Sequence, residues 1–274
     1  MLSTSAGSGS EVSNDELSDN TIFRSATEIA DEELKQERLP TGSKNIDLLL
    51  DGGLECGAIT QFYGASKVGK THLCHLLCTV LPSHYKSIYI DTQDGFSTTK
   101  IKSIAEARDL DSDKILENII VAKTDTTTKL EYSIELAESK IGLEPNIKLL
   151  VVDSMTHLYK MEYTERSQLP ERQSKLNKIL HKLLTIARKN NAAAVITNQV
   201  HSNPMPYSEV DKLQAIGGNV LSYSSKYIVN IEDYGFQYRR ARLEKSPHRP
   251  PFSVTLMMDI KGFRDKDPFS RAPE

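Results

Sequence analysis

The sequence contains no tryptophan and only three cysteines, and nowhere in its 274 residues does an unbroken apolar run approach the ~20 residues that a helix needs to span a bilayer. Three cysteines exclude a disulfide-framework fold, and 14 glycines with 11 prolines exclude collagen-like and low-complexity chains. Positive charge is not in excess: 34 lysines and arginines stand against 37 aspartates and glutamates, a net charge of −3. Such a balance argues against a protein that coats duplex DNA by charge alone, although a total hides local basic patches. The opening stretch Met1 to Ser10 has neither a basic patch nor an apolar run, and the final Arg271-Ala272-Pro273-Glu274 fits no lipidation pattern. The expectation is a protein of the reducing cytoplasm, nucleoid-associated if prokaryotic, with no membrane partner. What the chain does have is length enough for a sizeable core, with 38% hydrophobic residues.

Residues 1–20 combine Ser, Gly and Asn with Glu11, Asp15, Glu16 and Asp19 and hold no basic or aromatic residue. That composition buries too little surface to order itself, so a disordered acidic tail is expected. Residues 21–39 read as a linker, with Phe23 as an apolar anchor ahead of the helix-favouring Asp31-Glu32-Glu33-Leu34-Lys35. A core over 40–264 and a C-terminal tail over 265–274 complete the division. Within the core, short β-rich apolar runs at 58–63, 87–91, 149–153 and 192–197 alternate with helix-length segments. Runs that are apolar throughout belong to strands covered on both faces. The pattern therefore predicts an α/β fold, a mostly parallel twisted sheet with helices on both sides. After Tyr227, three strand-like stretches at 227–232, 238–243 and 252–260 predict an antiparallel extension. Leu176, Ile179, Leu180, Leu183, Leu184 and Ala187 recur at helical spacing and mark a core-facing stripe. Cys74 and Cys78, with His72 and His75 nearby, have a zinc-like spacing, but their helix must pack on the sheet, and a buried core face is the better reading. The run Arg239-Arg240-Ala241-Arg242 reads as a solvated hairpin face.

Directly after the first strand stands Gly64-Ala65-Ser66-Lys67-Val68-Gly69-Lys70-Thr71, a full match to G-x-x-x-x-G-K-[ST], followed by a helical pattern over 71–81. Glycines in such a loop let several backbone N–H groups and a helix N-terminus converge on a phosphate. Lys70 would reach the β- and γ-phosphates of ATP, and the Thr71 hydroxyl would coordinate Mg2+. The strand over 149–153 ends in Asp153, whose carboxylate would hold the metal, partly through water, with Ser154 beside it. An aspartate ending a strand is often only a turn former, but a complete phosphate loop favours the metal role.

Further motifs follow in order: Phe23-Arg24-Ser25-Ala26-Thr27-Glu28; Leu39-Pro40-Thr41-Gly42-Ser43; Val152-Asp153-Ser154 leading to Tyr163-Thr164-Glu165-Arg166 and Leu169-Pro170-Glu171-Arg172-Gln173; Ile196-Thr197-Asn198-Gln199-Val200; and Ile216-Gly217-Gly218-Asn219. Together they resemble the RecA-like recombinases of the RadA type, the archaeal and eukaryotic branch, most of all its short RadA/RadB paralogues. The resemblance implies a RecA-like core in a protein of homologous recombination and DNA repair. Phe23 and Ala26 would dock one subunit on the next, in a filament of this protein or of a RadA-type recombinase. Arg166 and Arg172 would meet single-stranded DNA, with Gly217, Gly218 and Asn219 closing a second DNA loop. Gln199 would sense the γ-phosphate. Guanidinium forks suit phosphates in a sequence-neutral single-strand groove. Without the resemblance, both arginines would read as solvated charges.

The chain departs from the family's pattern in four places. Where the family has a catalytic glutamate, in a pattern like D-T-E-x-x-F-R-P-E-R, this chain has Asp91-Thr92-Gln93-Asp94-Gly95-Phe96-Ser97-Thr98-Thr99-Lys100. An amide can hydrogen-bond a water but cannot take its proton, so ATP hydrolysis is expected to be slow and DNA-stimulated. Asp94, one residue on, would substitute only if the loop shifted. Ser97 and Lys100 replace the arginines that clamp adenine, which implies a weaker stack on the base. Lys245, in a stretch similar to the loop that caps a neighbour's ATP, stands where an aspartate is frequent and is expected to stand in for a monovalent cation. A polar stretch of this length is no helix-hairpin-helix domain, so weak duplex capture is expected. Two alternatives stay open: a full DNA-dependent ATPase that catalyses strand exchange, and a RecA-fold ATPase scaffold of signalling type that does not bind DNA.

Overall fold

The computed structural model describes residues 23–202, 213–215 and 219–265. The chain divides into a short unit ending at Gln36 and a large unit starting at Glu37. The short unit contains helix α1 (Ala26–Leu34), which starts at a reciprocal cap: the Ser25 hydroxyl accepts the Glu28 N–H at 3.2 Å, and the Glu28 carboxylate accepts the Ser25 N–H at 2.8 Å. Two orphan donors of the first turn are thereby satisfied. Phe23, just ahead, is exposed.

The large unit runs β1 (Arg38–Leu39), α2 (Lys44–Leu49), β2 (Leu54–Glu55), β3 (Ile59–Gly64), α3 (Lys70–Thr79), β4 (Lys86–Asp91), α4 (Thr98–Glu106), α5 (Ser112–Glu117), β5 (Ile119–Lys123), α6 (Thr127–Leu143), β6 (Ile147–Asp153), α7 (His157–Glu162), α8 (Leu169–Lys189), β7 (Ala193–Ser202), β8 (Leu213–Ala215), α9 (Asn219–Ser224), β9 (Tyr227–Asp233), β10 (Tyr238–Lys245), β11 (Ser253–Asp259) and β12 (Gly262–Asp265). It begins ahead of Pro40 because β1 pairs antiparallel with β2, which draws the end of the expected linker into the large unit.

The main sheet follows the order β12-β11-β10-β9-β3-β7-β6-β4-β5, with β8 paired to β7. From β9 to β5 every neighbour is parallel, while β9, β10, β11 and β12 pair antiparallel in succession; the sequence predicts this extension with three strands, and β12 is a fourth. Successive residues of β6 serve opposite faces. Leu149 and Val151 pack with Leu73, Leu76 and Leu77 of α3 and Ile101 and Ile104 of α4. Leu150 and Val152 pack with Leu130 and Ile134 of α6 and Leu176, Leu180 and Leu183 of α8. A strand so covered is apolar on both faces, as a parallel sheet between helices requires. Cys74 and Cys78 are buried in the α3 layer, and desolvation pushes the Cys78 thiol up to about 12. Among the described residues no helix is long and apolar enough to cross a membrane.

Two glycines test this packing from opposite sides. At the end of β3, a Cβ on Gly64 would run into the carbonyl oxygen of Ile231, whereas one on Gly142 in α6 would meet nothing within 4 Å. Gly64→Ala is expected to lower unfolding free energy by about 1–3 kcal/mol, the usual cost of forcing extra atoms into a packed core. Gly142→Ala is expected to raise it by about 0.5–1 kcal/mol through helix entropy. Equilibrium denaturation of both variants measures the two effects.

Candidate functional site

The carboxyl ends of the parallel strands meet along one edge of the sheet, where register decides which side chains become neighbours. Gly64 pairs with Gln199, Val152 with Ile196 and Asp91 with Asp153. Past Gly64 the chain turns through the phosphate loop into α3, which Gly69 enters at φ +102°, a conformation that favours glycine. A Cβ on Gly69 would also strike the Met258 sulfur. Above this edge lies a cavity of about 720 Å³, lined by Ser66, Lys67, Gly69, Lys70 and Thr71 of the loop and by Gln93, Asp153, Ser154 and Gln199. The phosphate, metal and sensor residues expected from sequence thus share one cavity. Gly64 and Ala65 contribute carbonyls that accept the Lys70 ammonium at 2.8 and 2.7 Å. Val68 is buried, and its carbonyl accepts Arg239 Nε at 3.2 Å. Burial pulls the Lys70 ammonium below its ordinary value, with Asp153 opposing.

Asp153 is buried at the end of β6. Its two oxygens accept hydrogen bonds from the Tyr89 hydroxyl, at 2.8 Å, and from the Thr197 hydroxyl. The peptide bond to Ser154 is cis. Ser154 is 2% exposed, lines the cavity, and its Oγ has no hydrogen-bond partner. A buried hydroxyl left unpaired is costly, and one on a cavity wall can be satisfied by a ligand atom or by water. With Thr71, Lys70 and Asp153 in the same wall, the donor set fits a magnesium nucleotide.

The loop carrying Gln93 is fixed by its own backbone. Asp91 accepts the N–H groups of Gln93 and Gly95 at 3.1 Å each and of Phe96 at 2.9 Å. Thr92 and Ser154 exchange side-chain and main-chain bonds at 2.9 and 2.8 Å. The Ser97 N–H donates to His75 Nε2 at 3.1 Å, and burial pulls the His75 imidazole down to about 4, which leaves it neutral and able to accept. Held this way, Gln93 lines the cavity and Asp94 does not. At φ +55°, Asp94 turns aside to pair with Lys123 at 2.5 Å, and that ammonium keeps its carboxyl below the usual range. The remaining carboxylate on the cavity wall, Asp259, is tied to Arg264.

Several lining residues carried no sequence signal. Gln237, Met258, Asp259 and Ile260 come from the antiparallel extension, and His72 Nε2 donates to the Asp259 carbonyl at 2.8 Å. Ser97 and Lys100 line the cavity as well. Arg239 corrects the reading of a wholly solvated basic run: it is 6% exposed and braces the phosphate loop through Val68, while Arg240 and Arg242 pair with Glu232 and Glu244.

Other expected site residues lie apart. Lys245 at the end of β10 is not on this cavity, and its ammonium donates to the carbonyls of Ser222 and Ser225 at 2.6 and 2.7 Å, the C-terminal end of α9. Arg166 is exposed on a 3-10 turn (Arg166–Gln168), and Arg172 is half-buried in the first turns of α8. Gly217 and Gly218 fall outside the described residues, and Asn219 begins α9. Ala26 is the first residue of α1, three positions after Phe23.

Comparison with known proteins shows the family. A model of the Rad51 family matches residues 34–266. The DNA repair and recombination protein RadA of Ignicoccus hospitalis is 34% identical over 259 residues, covering 89% of this chain and 78% of the relative. The meiotic recombination protein DLH1 of Candida albicans is 35% identical over 258 residues, again covering 89% of this chain and 78% of the relative. With that match spanning the phosphate loop, the Asp153 strand and the antiparallel extension alike, the chain belongs to the Rad51 family of RecA-like recombinases.

Proposed function

We propose that this protein binds Mg2+ and ATP in the 720 Å³ cavity, binds single-stranded DNA, and joins recombinase filaments while hydrolysing ATP slowly. The observation that carries the reading is Gln93 on the cavity wall with Asp94 paired away to Lys123. Asp153 is committed to the metal side and Asp259 to Arg264. Among the described residues, no carboxylate on the cavity wall is then left to act as a general base. Bound magnesium supplies charge neutralisation at the β- and γ-phosphates. The chain contributes Lys70 at the phosphates, Thr71 and Asp153 at the metal, and Gln93 and Gln199 as amides that orient water or phosphate without moving a proton. ATP would persist and serve as a structural ligand of the assembled state.

Arg166 and Arg172 have no ion-pair partner among the described residues and would be available to phosphates. Phe23 and Ala26 would seat in a neighbouring subunit, and Lys245 would act across that boundary at the neighbour's phosphates. The segment from Tyr163 into the first turns of α8, with Arg166 and Arg172, and the one closed by Gly217, Gly218 and Asn219 would form the strand-binding surface.

Phosphate release on single-stranded DNA is expected to be near background for the natural protein and to rise by about 10²- to 10⁴-fold in Gln93→Glu, the usual worth of a positioned general base. Brisk turnover without the substitution would transfer the reading to a full DNA-dependent recombinase. Arg166→Ala and Arg172→Ala are each expected to weaken strand binding whatever the base sequence. Each should also flatten the plot of log affinity against log salt by about 0.7 for every phosphate that is no longer neutralised. An unchanged slope would assign both guanidinium groups to solvent. Phe23→Ala is expected to abolish ATP-dependent assembly in light scattering. Assembly that persists, without affinity for DNA, would point to a scaffold built by core contacts.

A further inference from the structure

Asp153 does not aim itself. A carboxylate on a free side chain rotates, and a metal-bound carboxylate keeps its direction only if its second set of lone pairs is held from behind. Here both oxygens are held: Thr197 donates to Oδ1 and Tyr89 to Oδ2, the latter at 2.8 Å. Tyr89 and Thr197 are fully buried and come from the strands on either side of β6. Neither appears on the cavity wall, so neither reaches a ligand directly.

Tyr89 also has a second set of contacts. Its ring stacks on His75, with centroids 5.8 Å apart at 14°, and meets the edge of Phe96 at 5.0 Å and 62°. His75 and Phe96 in turn pack at 5.5 Å and 65°. Both belong to the mount of the Gln93 loop, since His75 accepts the Ser97 N–H and Phe96 donates its N–H to Asp91. One side chain therefore fixes the metal-side carboxylate with its hydroxyl and the Gln93 loop with its ring.

We propose that Tyr89 is a positioning residue for magnesium: its hydroxyl sets the direction of the Asp153 carboxylate relative to the loop that carries Gln93, with Thr197 as the second brace. The proposal rests on the nucleotide reading given above. It assigns a function to a buried tyrosine that neither touches ligand nor belongs to the phosphate loop. In Tyr89→Phe the aromatic packing stays and only the hydroxyl goes, so Asp153 keeps one brace and loses the other.

The test is fluorescent-ATP binding to the full chain, titrated with magnesium and repeated in EDTA, for the natural protein, Tyr89→Phe, Thr197→Ser and Asp153→Asn. Removing a group that orients a metal ligand typically costs about 10–100-fold in metal affinity, so the magnesium midpoint in Tyr89→Phe should rise by that factor, while ATP affinity in EDTA should not change. Thr197→Ser, which keeps its hydroxyl, should retain the natural midpoint. In the Asp153→Asn background, adding Tyr89→Phe should shift the midpoint no further. A folded Tyr89→Phe with the natural midpoint, or an equal loss of affinity in EDTA, overturns the proposal and leaves nucleotide binding standing. A natural protein that binds no nucleotide with or without magnesium overturns both.

Discussion

Parallel strands buried on both faces cannot slide, and the chemistry of this molecule hangs on that restriction. A slip of one residue would exchange every side chain of β6 between the two helical layers and turn Asp153 away from the hydroxyls of Tyr89 and Thr197. The apolar pattern of the strand interiors therefore sets, at their carboxyl ends, the pairing of Gly64 with Gln199 and of Asp91 with Asp153. The phosphate loop inherits its position from β3 and is held down by Arg239 from β10. The antiparallel extension thus braces the loop as well as closing one side of the sheet.

On the proposed reading, the arrangement would separate holding a nucleotide from consuming it. Four N–H groups of the Gln93 loop are bonded, those of Gln93, Gly95 and Phe96 to Asp91 and that of Ser97 to His75, so the amide sits on an ordered mount. Against the pattern that the resemblance implies, Gln93 replaces a carboxylate on that mount, and Ser97 and Lys100 replace arginines beside it. The buried, unpaired Ser154 hydroxyl stands on the same wall.

Much of this was legible in the sequence, and the reasons are local. The phosphate loop, the strand ending in Asp153, the core stripe of α8 and the antiparallel extension each follow from motif geometry or periodicity within a short window. Ser25 and Glu28 also carry a readable capping signal, which a linker assignment passed over. Arg239 was not legible, because its partner Val68 lies 171 positions away and nothing in a basic run tells which guanidinium turns inward. Strand β5 at the sheet edge is only half covered, so its apolar run Ile119 to Ala122 lacks the buried signature of the central strands. The bond from Tyr89 to Asp153 depends on two strands lying side by side, which no spacing along the chain encodes.

The cap at the start of α1 gives the short N-terminal unit a property that composition alone does not suggest. Ser25 lies between Phe23 and Ala26, and its two bonds with Glu28 freeze the backbone at the point where an apolar anchor passes into a helix. An anchor on a slack tether loses conformational entropy when it is gripped, and that loss is subtracted from affinity. An anchor two residues ahead of a capped turn would have surrendered part of that freedom in advance. A surface that takes Phe23 would then also fix the direction in which nine helical residues depart, making the short unit less a leash than a lever.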